Sequence, residues 1–245
     1  MAASAPTVGM LITGGSSGVG AALARMAAAR SYSLVLVGRN ASALAAVAEE
    51  CREAGAPKVV TEVADVSKVA DVARVVESAK AALGTVSVAV LNAGLNRPGA
   101  LETTSPEDFD TVMGVNVGGV YYYLRELLPL MKDAGKGQVV VTSSVMGERT
   151  SAGASLYCAS KFAVQGLVGC VRKELAGHPG VKIGTVMPGG IATPWWTEAS
   201  RGGKRDTVPD LGKLLTPEAV AAAILSLVEQ HESSDIDRLV LDPAA

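Results

Sequence analysis

An apolar run at residues 8–13 breaks into three spaced glycines, Gly14, Gly18 and Gly20, and then into an alanine-rich helical segment at residues 21–30. A buried strand that turns through glycines directly into a helix opens a βαβ unit, which needs a sheet with helices laid on it. The rhythm repeats. Apolar runs at residues 34–37, 58–63, 86–91, 137–143, 181–186 and 236–241 read as further strands. Helical patterns at residues 42–54, 69–83, 156–176 and 216–229 stand between them. Ser67 is placed to cap the helix that starts at Val69. Ser105, Pro106, Glu107 and Asp108 form another helix start, with a cap, a proline in the first turn and acids at the positive end of the dipole. That helix is expected to run past Asn116 toward Met131, with Pro129 near its end. Residues 193–215 carry Pro, Gly and charge without a period and read as a loop or lid. The expectation is an α/β fold: a doubly wound parallel sheet of about seven strands with helices on both faces. One domain is expected over residues 1–245, with ligands at the carboxyl ends of the strands, where strand order reverses.

Composition removes several alternatives. The chain of 245 residues has a net charge of −2 and no basic run, so nothing attracts nucleic acid or an anionic membrane. Its longest apolar stretch, around residues 86–91, is too short to span a bilayer. Residues 1–6 lack the basic-then-apolar order of a secretory signal, which makes the cytoplasm the expected location and leaves organelle import undecided. Cys51, Cys158 and Cys170 are odd in number and scattered, as in a reducing compartment. The two histidines, His178 and His231, lie far apart without acidic neighbours at ligand spacing, so no metal is expected.

Tyr157 and Lys161 are four residues apart, one turn on the same face of a helix. A phenol beside an ammonium is an easier proton donor, because the positive charge favours the phenolate. In isolation such a pair is more often a surface Tyr and Lys. Here it has company. Thr13, Gly14, Gly18 and Gly20 open the chain, Asn92-Ala93-Gly94 ends the fourth strand, and Ser144 precedes Tyr157 by thirteen residues. With these in order, nearly the whole chain resembles the short-chain dehydrogenase/reductase family, a group of Rossmann-fold oxidoreductases.

The resemblance implies roles. Tyr157 would be the general acid in reduction and the base in oxidation. Lys161 would bind the nicotinamide ribose and depress the Tyr157 pKa. Ser144, rather than the adjacent Ser143, would donate a hydrogen bond to the substrate oxygen, and Asn116 would hold a water for proton relay to Lys161. Around the dinucleotide, Gly14, Ser16, Ser17, Gly18, Val19 and Gly20 would form the phosphate loop. Asp65 and Val66 would meet the adenine, and Asn92, Ala93 and Gly94 would support the cofactor from the strand end. Pro188, Gly189, Gly190, Ile191 and Thr193 would lie along the nicotinamide and its phosphate. At the end of the second strand NAD sites often carry an acid for the ribose hydroxyl; here Gly38 and Arg39 stand there. A guanidinium suits a 2′-phosphate, so NADP is favoured over NAD.

The implied activity is an NADP-dependent carbonyl reductase or alcohol dehydrogenase acting on a small molecule. The alternative is a catalytically weak dinucleotide-binding regulatory or scaffold protein, and a sugar epimerase is a weaker rival because little chain remains for a substrate domain. The resemblance also implies homodimers or homotetramers built through the helices containing Asn116 and Tyr157. Two features depart from acyl-reductase members of the family or stand outside the pattern. The tail at residues 236–245 lacks their glycine-rich ending, which puts an acyl-carrier substrate in doubt. Trp195 and Trp196 either shape an apolar substrate pocket or anchor the loop or a subunit contact. Cys158 reads as a packing residue rather than a nucleophile.

Overall fold

The computed structural model describes residues 8–203 and 208–244. Seven strands form one parallel sheet: β1 Gly9–Thr13, β2 Ser33–Gly38, β3 Val59–Val63, β4 Val88–Leu91, β5 Gly137–Thr142, β6 Val181–Pro188 and β7 Arg238–Leu241. Their order is β3-β2-β1-β4-β5-β6-β7. The chain reverses direction across the sheet between β1 and β4, and there Thr13 stands in register with Leu91. The two following segments therefore leave the sheet side by side, opening the crevice in which doubly wound folds bind ligands.

Side chains alternate across each strand, and both faces are covered. On one side Met10, Ile12, Leu34 and Leu36 pack under α1 (Gly18–Ala28), α2 (Ala41–Glu53) and α8 (Pro217–Val228). On the other, Leu11, Val35, Val37, Ala89 and Leu91 pack under α3 (Val69–Leu83), α5 (Gly119–Asp133) and α6 (Ser155–Glu174). Burial on two faces explains why these strands read as continuous apolar runs rather than alternating ones. In α1 the buried face is made of Ala21, Ala22, Leu23, Ala24, Ala27 and Ala28. Methyl-sized side chains let the helix sit close to the sheet, which keeps its N-terminus at the crevice.

Two local expectations are corrected. Ser67 does not cap α3: the N-cap is Lys68, without a side-chain bond, and the Ser67 hydroxyl instead donates to Asp65 Oδ1 at 2.7 Å. Asp65 is itself tied down, its N–H donating to the Asp71 carboxylate at 2.9 Å. The helix from Ser105 toward Met131 is not one α-helix. It runs as α4 (Pro106–Met113), a π-helical turn (Gly114–Gly118) and α5. The Ser105 start does hold, as a capping box closed by Asp108. The π turn turns the buried Asn116 side chain onto the main chain of Leu95, and Gly119 passes so close to Val66 that a Cβ would lie 2.9 Å from its Cγ2. Pro129 lies in the last turns of α5, near its end as expected. No helix among the described residues is long and apolar enough to cross a membrane.

Candidate active site

A cleft of about 320 Å3 opens above the carboxyl ends of β1, β4, β5 and β6. Its first wall is the turn from β1 into α1. Gly14 and Gly18 have φ of +70° and +52°, in the left-handed region that side chains avoid. A Cβ on Gly20 would stand 2.2 Å from the Gly14 carbonyl oxygen, so only glycine allows the loop to fold over the helix start. Ser17 is the N-cap of α1 but makes no side-chain bond to its first turn, and that turn carries no acid. The helix thus presents uncapped N–H groups and its positive dipole end to the cleft, which fits an anionic group such as a pyrophosphate.

β4 is held to this loop by a single threonine. The Thr13 hydroxyl accepts from the N–H of Asn92 at 2.9 Å and of Ala93 at 3.1 Å, while Asn92 Nδ2 donates to the Thr13 carbonyl at 3.2 Å. Gly94 follows with no side chain, and a Cβ there would lie 3.3 Å from Asn116 Oδ1 and 3.8 Å from Lys161 Nζ. Asn116 lies at the centre of this region. Its Oδ1 accepts from the Leu95 N–H at 2.8 Å, and its Nδ2 donates to the Leu95 carbonyl at 2.9 Å and to Ser160 Oγ at 3.0 Å. Ser160 in turn donates to the Tyr157 carbonyl at 2.7 Å. Through that chain of bonds the π turn, the exit of β4 and the first turns of α6 are locked together.

α6 presents Tyr157 and Lys161 to the cleft. Lys161 is buried, and its Nζ donates to the Thr142 carbonyl at the end of β5 at 2.9 Å. Loss of hydration at this site lowers the lysine to a pKa of about 8. The Tyr157 ring lies with its centroid 5.6 Å from Nζ. Ser144 opens the turn after β5. Its Oγ accepts from the Met146 N–H at 3.1 Å and donates to the Pro188 carbonyl over a long 3.4 Å. Ser143 lies beside it with a buried hydroxyl that has no partner among the described residues.

Both tryptophans line the cleft. Trp195 meets Tyr157 edge-on, ring centroids 5.6 Å apart. Trp196 donates from Nε1 to the Ile191 carbonyl at 2.7 Å, which anchors the turn after β6. Within this chain Trp196 anchors the loop, and Trp195 lines the cleft beside Tyr157. Cys158 is buried in α6 and does not line the cleft.

The cleft brings together most of the residues named from the sequence: Gly14, Ser17, Gly18, Val19, Asn92, Ala93, Gly94, Ser144, Tyr157, Lys161, Pro188, Gly189, Ile191 and Thr193. Gly20 lies buried beneath the loop, and Asn116 behind the wall. Ser16, Arg39, Asp65 and Val66 lie outside the lining. Arg39 is exposed on the turn after β2, and Ser16 Oγ would be 3.3 Å from a Cβ at Gly38, so these three cluster at the outer end of the crevice. Asn96 and Arg201 line the cleft without having been anticipated. Arg201 sits in α7 (Ala199–Gly202), within the segment of no periodicity, and no local pattern marked it. Residues 204–207 of that segment lie outside the described residues, as do residues 1–6.

Known proteins resemble this chain in sequence and fold. The family described as short chain dehydrogenase matches residues 9–203. A sepiapterin reductase of Chlorobaculum tepidum is 33% identical over 243 residues, covering 96% of each chain. Among solved structures, the alcohol dehydrogenase of the archaeon Thermococcus sibiricus, complexed with 5-hydroxy-NADP, has a TM-score of 0.85 at 30% identity over 96% of both chains. The 3-ketoacyl-(acyl-carrier-protein) reductase of Brucella melitensis, complexed with NADH, has a TM-score of 0.84 at 31% identity over 96% of both chains. With the family match across most of its length and such relatives along nearly all of it, this chain belongs to the short-chain dehydrogenase family of oxidoreductases.

Proposed function

We propose that the protein is an NADP(H)-dependent oxidoreductase that interconverts a carbonyl group and a secondary alcohol on a small molecule. The observation that carries this reading is the placing of Tyr157, Lys161 and Ser144 around one cleft that continues into the glycine turn at α1. The dinucleotide, when bound, supplies or takes up the hydride. The protein's own groups manage the proton and the charge. The Tyr157 hydroxyl gives its proton to the carbonyl oxygen in reduction and recovers it in oxidation. Ser144 Oγ is freed easily from its long bond to Pro188 and donates to the same oxygen, where negative charge gathers. Lys161, still mostly protonated at neutral pH with a pKa of about 8, stabilises the tyrosinate left behind. Trp195, edge-on to the Tyr157 ring, covers this group on one side. Asn116 keeps α6 and the β4 exit in register beneath it.

The choice of NADP rests on Gly38 and Arg39, because relatives carry either cofactor. A 2′-phosphate at the end of β2 meets a guanidinium and no acid. The unit of function proposed is a single domain, assembled as a homodimer or homotetramer. The test is to follow NADPH oxidation by the purified protein against ketones, aldehydes and 3-oxo compounds. Turnover with one of these classes is expected. A protein that binds NADPH yet reduces none of them would point to the regulatory role instead.

A further inference from the structure

The phosphate loop has no cation of its own. Between Thr13 and Gly20 the side chains are hydroxyls, one valine and hydrogens. The charge that faces this loop comes from the lid, 184 residues away in sequence. Arg201 donates from Nη1 to Ser17 Oγ, and its Nε pairs with the Glu198 carboxylate. Arg201 also lines the cleft that Gly14, Gly18 and Thr193 line.

The main chain holds this arginine in place. The Arg201 carbonyl accepts from the Asn96 N–H at 2.9 Å, which ties α7 to the loop after β4. A Cβ on Gly202 would lie 1.9 Å from the Trp195 carbonyl oxygen, and one on Gly203 would lie 2.2 Å from Pro98 Cδ. Gly203 also has φ of +78°. Two adjacent positions thus exclude any side chain, and the result is close packing of α7 between the tryptophan turn and the β4 exit. The guanidinium that emerges is aimed at the uncapped start of α1 rather than at solvent.

We propose that Arg201 is a dinucleotide-binding residue carried by the lid, whose guanidinium pairs with the pyrophosphate at the N-terminus of α1. The proposal rests on the dinucleotide reading above. Ser17 holds the guanidinium at the site, and an arriving phosphate oxygen is the stronger acceptor, because both partners are then charged. The planar fork of arginine suits two phosphate oxygens at once. Glu198 competes for the same fork. Since α7 follows directly from the turn that presents Trp195 to Tyr157, grip on the pyrophosphate and enclosure of the reacting end involve one short unit.

The test measures dissociation constants by fluorescence or calorimetry, without substrate, for NADPH, NADH and adenosine 2′-phosphate, which lacks a pyrophosphate. Arg201→Ala is expected to weaken NADPH and NADH by the same factor, about tenfold or more, and to leave adenosine 2′-phosphate as in the parent. Arg201→Lys is expected to keep part of the affinity. Glu198→Gln removes the competing carboxylate and is expected to tighten both dinucleotides, whereas a mere lid-scaffolding pair would weaken them as Arg201→Ala does. Unchanged dinucleotide affinity in Arg201→Ala, loss for NADPH alone, equal loss for all three ligands, or weakening by Glu198→Gln each overturns the proposal while the function stands. A parent protein that binds neither dinucleotide overturns both.

Discussion

Lys161 Nζ donates to the carbonyl oxygen of Thr142 at 2.9 Å, so a cation from the second turn of α6 is pinned to the last residue of β5. Burial lowers its pKa from 10.5 to about 8. The folded chain then holds this proton less tightly than the unfolded one. Between about pH 8 and the unfolded value the unfolded state binds more protons, so stability rises with pH across that window. The rise should total roughly 3 kcal/mol for the dinucleotide-free protein. Denaturant titrations of the parent and of Lys161→Met from about pH 8 to about pH 10 check it: the parent should gain relative to the variant. Parallel pH profiles would mean that Lys161 titrates as an ordinary surface lysine.

Tyr157→Phe should abolish turnover and leave NADPH binding nearly intact, because the ring remains against Trp195 and only the proton donor is lost. Lys161→Met should damage both turnover and cofactor affinity if, as proposed, one ammonium serves both the tyrosinate and the ribose. Steady-state rates and NADPH titrations on the two variants separate the roles. Near-normal turnover in Tyr157→Phe would remove the phenol from the mechanism.

Gly20→Ala should disable the phosphate loop. The new methyl would stand 2.2 Å from the Gly14 carbonyl oxygen and 2.8 Å from its carbon, backbone atoms that have no rotamer to give way. The loop must shift, at a cost of about 1–3 kcal/mol of stability. Affinity for NADPH and NADH should fall together by at least about tenfold, since the loop serves the pyrophosphate common to both. Isothermal calorimetry with a parallel melting curve checks both effects.

Arg39→Ala should weaken NADPH far more than NADH, which has no 2′-phosphate to lose contact with. The side chain is exposed, so solvent screening limits the preference to about ten- to hundredfold in the parent. Gly38→Asp should push the same way by repelling the phosphate and accepting from the ribose hydroxyl. Dissociation constants for both cofactors on the three proteins decide it. Equal weakening of both cofactors in Arg39→Ala would make Arg39 a plain turn residue.

The strand positions, the glycine turn and the Tyr157–Lys161 pair were legible because they depend on near neighbours in the chain. Two-sided burial makes a strand such as residues 34–37 continuously apolar, and helical spacing alone puts Tyr157 and Lys161 on one face. The Ser105 capping box is equally local and appeared as expected. Where neighbours compete, local signals failed. Ser67 satisfied Asp65 instead of a helix end, and the helix past Ser105 yielded a π turn because Asn116 gains three bonds to Leu95 and Ser160 by leaving the α-helical path.

From the sequence alone came the family, the parallel α/β fold and the side chains, Ser144, Tyr157 and Lys161, that meet in one cleft. Only the tertiary structure decided what surrounds them. It set the depth of Lys161 and hence its lowered pKa, the edge-on approach of Trp195 to Tyr157, and the arrival of Arg201 at Ser17. The reason is physical: desolvation and contacts across 184 residues depend on how whole elements pack, and no period of two or 3.6 residues records them.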